Sequence, residues 1–237
     1  MDAAADDSDA AIDLRGVRFA WPGAGRVCLD IPAFSVARGE RVFLHGPSGS
    51  GKTTLLSLVG GVLEPGHGHI SVLGRDLGEM GAAERDRFRA AHIGFIFQLF
   101  NLIPYLSALD NIVLPCRFSA ERARRAGVAP RDAARRLAGH LQLDAALLAR
   151  PATDLSVGQQ QRVAVARALI GRPGLVIADE PTSALDADRQ RAFLDLLRDE
   201  CDAAGTTLLF VSHDRRLAER FDRVVDLAAI NRGASAS

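Results

Sequence analysis

Residues 46 to 53 read Gly46-Pro47-Ser48-Gly49-Ser50-Gly51-Lys52-Thr53. The run fits the pattern G-x-x-x-x-G-K-S/T, a loop that wraps the phosphates of a nucleoside triphosphate. Its glycines let the backbone curl so that successive N–H groups point inward, and the following helix adds its positive end. Lys52 is suited to bridging the β- and γ-phosphates, and the Thr53 hydroxyl to binding Mg2+. Composition sharpens this assignment. Lys and Arg together number 29, yet Lys52 is the only lysine. A bias toward arginine accounts for the others. Position 52 keeps lysine because a compact ammonium fits a closed backbone cradle that a planar guanidinium does not.

Outward from the loop, Arg41 to Leu44 is a short strand leading in, and Thr53 to Val62 reads as a helix weakened at its end by Gly60-Gly61. Strand, glycine loop and helix in that order open an α/β nucleotide-binding core. Upstream, Ile12 to Trp21 alternates apolar and polar with a register break at Gly16, and Pro22-Gly23 marks a turn. Val27 to Ile31 and Phe34 to Val36 are two further strand-like runs, and His67 and His69 flank Gly68 in an expected turn. Downstream, Glu84 to Ala91 reads as helix and Ile93 to Phe97 as a buried strand. From Pro104 to about Leu148, Ala, Leu and Arg dominate at helical spacing, so a helical insertion is expected. Strands return at Leu175 to Ala178 and Leu208 to Ser212, with a helix from Asp188 to Ala203 between them. A parallel sheet interrupted by a helical subdomain results.

The strand Leu175-Val176-Ile177-Ala178 ends in Asp179-Glu180. An apolar run closing on acids delivers carboxylates to the C-terminal edge of a sheet, where ligands of open α/β sheets sit. Asp179 is suited to holding Mg2+ through water, and Glu180 to polarising an attacking water as general base.

Composition excludes several classes. The 237 residues suffice for one compact domain, and a formal net charge of zero argues against a nucleic-acid binder. No run of roughly 18 apolar residues crosses a bilayer; the most apolar stretch, Ile93 to Leu106, is broken by Gln98 and Asn101. Residues 1–11 are acidic and Ala-rich, without the basic start of a signal peptide, so a disordered tail and a cytoplasmic chain are expected. Cys28, Cys116 and Cys201 lie too far apart for a disulfide framework or a zinc site. The arginines from Arg122 to Arg136 suggest a solvated helix face, or contact with anionic lipid or an acidic partner.

Residues 155 to 159 read Leu155-Ser156-Val157-Gly158-Gln159, followed by Gln160-Gln161-Arg162. Here the chain resembles the ATP-binding-cassette family, whose signature is usually Leu-Ser-Gly-Gly-Gln. The resemblance covers residues 12 to 228 and implies a P-loop NTPase core with a RecA-like parallel sheet. It also implies an N-terminal antiparallel β subdomain and an inserted α-helical subdomain. A single ATPase domain would span 12–230, with the helical part about 99–165 and a tail at 231–237. The resemblance implies that Leu155 to Gln159, with Asp186 from the run Ser183-Ala184-Leu185-Asp186, contact ATP held by the opposite subunit. Trp21 matches the aromatic that stacks on adenine, and the loop from Gly46 to Thr53 with Thr54 holds the phosphates in cis. Gln98 matches the loop glutamine that senses Mg2+ and couples to the membrane partner. His213, in Val211-Ser212-His213-Asp214, matches the switch histidine at the γ-phosphate. Lys52, Gln98, Glu180 and His213 would then carry catalysis. Val157 departs from the usual glycine, and its β-branch restricts the backbone there. Trp21 stands for the commoner tyrosine and Thr53 for serine.

The run from Ile93 to Pro104 resembles the branch of lipoprotein-release (LolD-like), macrolide-efflux (MacB-like) and cell-division (FtsE-like) ATPases. That resemblance implies a homodimer of ATPase subunits energising a separately encoded permease of FtsX/MacB-like character. The chain would be peripheral on the cytoplasmic face of the membrane. Leu99, Phe100, Leu102 and Ile103 would line a groove for a permease helix. The alternative is the ATPase of a transmembrane signalling complex that moves no substrate.

Overall fold

The computed structural model describes residues 10–23, 26–183 and 185–235. The chain divides into two compact units. One comprises the chain up to Asp86 together with Thr207 onward; the other runs from Arg87 to Thr206.

In the first unit, β1 (Ala10–Phe19), β2 (Leu29–Ala37), β4 (His67–Val72) and β5 (Arg75–Asp76) form an antiparallel sheet in the order β2-β1-β4-β5. The buried residues of β1 change phase along the strand: Ile12 and Leu14, then Val17 and Phe19. The switch falls at Gly16, whose φ of 58° only glycine adopts cheaply. β2 changes phase at the same level, from Leu29 and Ile31 to Phe34 and Val36. The two runs expected from sequence are therefore one strand. Pro32 sits at the switch, tolerated because β2 is a sheet edge. β4 joins the irregularity through Gly68, where a Cβ would lie 2.4 Å from the Gly16 carbonyl. His67 and His69 thus belong to a strand rather than a turn, and the His69 Nδ1 lies 3.0 Å from the Asp76 carboxylate. β1 also starts two residues ahead of the expected boundary, because Ala10 pairs with Ala37 and Ala11 is fully buried.

The same unit holds β3 (Arg41–His45), which pairs in parallel with β8 (Thr207–Val211) and with β9 (Arg223–Asp226). Phe43, Phe210 and Phe221 pack together with ring centroids 5.1–6.0 Å apart. α1 (Lys52–Val59) follows β3, and α2 (Ala82–His92) leads into the second unit. Of the tail expected at 231–237, the described residues 231–235 hold structure, with a 3-10 turn at Arg232–Ser235. Asn231 is 1% exposed and fully hydrogen-bonded, after the short helix α8 (Leu227–Ile230).

In the second unit, β6 (Ile93–Ile96) pairs in parallel with β7 (Leu175–Asp179). Between them run α3 (Ala108–Phe118), α4 (Ala120–Ala126), α5 (Pro130–His140) and α6 (Val157–Leu169), the expected helical insertion; α7 (Ala187–Ala204) follows β7. The arginine cluster splits here. Arg122 is 2% exposed, and its guanidinium donates to the carbonyls of Ile170 (2.7 Å), Ile93 (3.0 Å), Ala90, Arg167 and Ala168. Burial pushes its pKa down to about 10. Arg125 donates to Gly171 and Ala91 carbonyls. These two close the C-terminal ends of α2 and α6 instead of facing solvent, whereas Arg131 and Arg135 make exposed ion pairs with Asp110 and Asp132. No helix among the described residues is long and apolar enough to cross a membrane.

Candidate functional site

β3 carries the chain into the phosphate loop and α1 takes it out, as the sequence order requires. Gly49 (φ 80°) and Gly51 (φ 97°) occupy left-handed conformations. α1 starts at Lys52 with no side-chain cap on its first N–H groups, which suits an anion in place of a cap. Lys52 is buried and folds back over the loop, Nζ donating to the Gly46 carbonyl at 2.7 Å and the Pro47 carbonyl at 3.0 Å. The curl leaves no room for a side chain at 46, where a Cβ would stand 2.7 Å from Ser50 Oγ. Among the described residues, two buried side-chain polar atoms lack a partner: Ser50 Oγ and His45 Nδ1, both at this loop. A buried orphan hydroxyl is costly unless a ligand completes it. The loop therefore fits a polyphosphate.

Trp21 lies just past β1, 46% exposed and edge-on to Phe19 at 5.1 Å. One ring face is thus unclaimed by Phe19. At the end of β8 stands His213, exposed, next to buried Ser212, whose hydroxyl accepts from the Asp214 N–H. Asp214 caps the 3-10 turn after it, and the hydrogen-bonded Arg216 guanidinium holds its carboxyl below the usual carboxylate value.

In the second unit, β7 is buried along its length and ends in half-buried Asp179, with Glu180 next to it. Glu180 has φ 46°, a left-handed backbone that costs a non-glycine residue of order 1–3 kcal/mol and clusters at functional sites. The peptide after it is held by Gln161, a buried α6 side chain donating to the Pro181 carbonyl at 3.0 Å. Gln161 lies directly after the signature, but its partner is a distant backbone oxygen, so no local pattern marks this role.

Leu155 is buried, and Ser156 caps α6. Its Oγ accepts from the Gln159 N–H, while Gln159 Oε1 accepts from the Ser156 N–H at 2.9 Å. Val157 is the first residue of the helix and 51% exposed, so the β-branch meets no conflict. A Cβ on Gly158 would meet nothing within 4 Å. Ser156 to Gln159 line an open cleft of about 600 Å3 with Gln142, Arg162, Arg189 and Phe193. Asp186 caps α7, its carboxylate accepting from the Arg189 N–H. Ala184, in the loop before it, lies outside the described residues.

Gln98 is exposed after β6. Of the apolar residues after it, Leu99 is 83% exposed and Leu102 and Ile103 are half-buried, but Phe100 is buried and does not line a groove. Phe100 (φ 59°) and Asn101 (φ 46°) form a left-handed turn that rotates the Phe100 ring inward. Arg167, buried on α6, donates to the carbonyls of both at 2.5 and 2.7 Å, and burial pushes its pKa down to about 10. Two further apolar residues flank this run at the surface, Phe97 (38% exposed) and Tyr105 (81% exposed), and neither was expected from the sequence to contact a partner.

The sequence profile described as ABC transporter matches residues 29–183. The chain is 44% identical over 192 residues to the ABC transporter ATP-binding protein YbbA of Escherichia coli K12, covering 81% of this chain and 82% of that one. It is 44% identical over 221 residues to the lipoprotein-releasing system ATP-binding protein LolD of Anaeromyxobacter dehalogenans, covering 91% and 90%. It is also 38% identical to the macrolide export ATP-binding/permease protein MacB of Chromobacterium violaceum, over 93% of this chain and 34% of that protein. Among solved structures, it is similar to a dimeric post-hydrolysis state of the ATP-binding cassette MJ0796 bound to ADP and Pi. There the TM-score is 0.78 at 32% identity, covering 94% of this chain and 95% of the other. With its phosphate loop, its carboxylate strand and its capped signature helix, the chain belongs to the ABC transporter family, as an ATP-binding subunit of the LolD and MacB type.

Proposed function

We propose that this chain binds and hydrolyses ATP as one of two identical subunits, and that closure of the pair drives a separately encoded membrane permease from the cytoplasmic face. Residues 12–230 act as one ATPase domain in this reading. Trp21 stacks on adenine, and the loop from Gly46 to Thr53 with Thr54 holds the phosphates. Thr53, Asp179 and Gln98 offer hard oxygen donors, a set that suits Mg2+. When bound, the cation neutralises charge on the phosphate oxygens. Glu180 takes the proton of the attacking water, and His213 contacts the γ-phosphate.

The observation that carries the two-chain reading is Gly158. Glycine in a helix costs up to about 1 kcal/mol against alanine, and beyond its own helix turn no atom of the described residues comes within 4 Å of where a Gly158 Cβ would be. Close approach from outside the chain explains a glycine there. The neighbouring N–H groups and the Ser156 hydroxyl stand at the positive end of α6, suited to a γ-phosphate held by the other subunit. Val157 and Gln159 line the same cleft, and in this reading Asp186, at the start of α7, and the backbone of buried Leu155 complete the contact. Exposed Leu99 and Tyr105 supply apolar area for a permease segment.

The test is sedimentation of the Glu180→Gln protein with and without MgATP. A dimer that forms only with MgATP, and is lost in the double variant with Ser156→Arg, is the expected result. Dimerisation indifferent to nucleotide and to Ser156→Arg would sink the two-chain reading.

A further inference from the structure

Asn231, six residues before the last, uses its whole side chain inside the first unit. Its Oδ1 accepts from the Asp30 N–H at 2.8 Å and from the Gly233 N–H at 3.0 Å. Its Nδ2 donates to the Cys28 carbonyl at 3.1 Å and the Ser50 carbonyl at 3.4 Å. Three chain segments far apart in sequence therefore meet at one amide: the start of β2, the phosphate loop and the chain end. The loop also backs directly onto β2, since a Cβ on Gly51 would lie 2.7 Å from Leu29 Cδ2.

The Ser50–Gly51 peptide is the last before α1. A trans peptide is planar, with its C=O and N–H pointing opposite ways. Holding the Ser50 carbonyl against Asn231 consequently fixes the direction of the Gly51 N–H, at a helix start that has no side-chain cap. Cys28, whose carbonyl shares the same donor, also reaches the loop helix, its Sγ standing 3.7 Å from Thr54 Oγ1. An asparagine is suited to this point because it carries donors and acceptor on one rigid, neutral group. A carboxylate would oppose both carbonyls, and an apolar side chain would leave them unpaired.

We infer that Asn231 is a positioning residue for the nucleotide site: it anchors the phosphate loop from behind, so that segment 227–233 is part of the ATP-binding apparatus. The inference rests on the ATP-site reading given above. It concerns affinity for nucleotide phosphates and involves no contact between Asn231 and the ligand.

The experiment measures binding of labelled ATP and steady-state hydrolysis for the full chain carrying Asn231→Ala. Asn231→Leu, which has asparagine's number and branching of side-chain heavy atoms without its polar groups, is made beside it to keep the space filled should the smaller residue unfold the protein. Melting without nucleotide is followed for each. Loss of the anchor weakens ATP binding about tenfold, which is about 1.4 kcal/mol, with the loss expressed in KM more than in kcat. A purely structural asparagine lowers the melting temperature and leaves Kd and KM where they were, and that result would overturn the inference. Wild-type protein that fails to bind ATP in the same assay would overturn the ATP-site reading itself and the inference with it. The two failures are thus told apart by the wild-type control.

Discussion

Arg167→Met keeps the unbranched stem of the side chain and removes the buried guanidinium with its charge and donors. In the folded protein Arg167 makes charge-assisted hydrogen bonds to the Phe100 carbonyl at 2.5 Å and the Asn101 carbonyl at 2.7 Å. Hydrogen bonds to charged groups are worth about 1.5–3 kcal/mol each, so the pair amounts to about 3–6 kcal/mol. Against this stands the cost of burying the cation. Burial lowers the arginine pKa from 12.5 to about 10; at about 1.4 kcal/mol per pKa unit, this is of order 3 kcal/mol returned on removal. The difference is about 0–3 kcal/mol, and the Phe100 and Asn101 carbonyls left without a donor set the net destabilisation towards its upper end. For a chain of this length each kcal/mol lowers Tm by about 2–4 °C. The damage should be local first, because Phe100 and Asn101 both hold left-handed backbones without glycine. Amide exchange in residues 98–102 is therefore expected to accelerate more than in β3 or β8. The assay is thermal melting with peptide-resolved hydrogen exchange. A variant that melts within about 1 °C of wild type, with unchanged exchange after Gln98, would refute this account of how the loop is held.

Glu180→Gln should lower phosphate release by about 10²–10⁴-fold while binding ATP at least as tightly as wild type; Lys52→Ala should lose binding and turnover together. Equilibrium binding of labelled ATP beside phosphate release separates the two, and Glu180→Gln turnover near wild type removes Glu180 as base. The Ser107 hydroxyl, and after it Arg131, hold the Asp110 carboxyl below its usual value. The unfolded chain therefore takes up that proton at higher pH than the folded one. The associated stability is present above about pH 4 and is lost as pH falls through the lowered value. Asp110→Asn should reduce stability at pH 7 by about 1 kcal/mol or less, given a partly exposed pair, and flatten the decline below pH 4 in urea titrations. An unchanged pH profile in the variant would count against this assignment.

The phosphate loop, the acid-ended strand and the signature helix were legible because each is a contiguous run whose chemistry is carried by neighbours in sequence. The long helices and the core strands flanking the loop were legible for the same reason. Short strands such as β5 and β9 contain too few residues for a period to show. The phase switch at Gly16 and Pro32 made one edge strand look like two. Asn231, Arg167 and Gln161 escaped because their partners are backbone carbonyls 20 or more positions away, and an oxygen that every residue possesses leaves no signal in sequence. Phe100 was misplaced because two successive left-handed residues reverse which side chain faces inward.

Arg122 has a consequence for behaviour in acid. Its guanidinium donates only to carbonyl oxygens, from the ends of α2 and α6 and the start of β6, with no carboxylate among its hydrogen-bond partners. An arginine–carboxylate pair fails when the acid partner takes up a proton, whereas backbone carbonyls do not titrate in water. The hydrogen bonds of Arg122 are therefore indifferent to acid, unlike the neighbouring Arg125–Glu121 pair and the pairs of Asp110 and Asp214. Acid should release the carboxylate pairs on the rim of the helical insertion before it touches the carbonyl bonds that Arg122 makes.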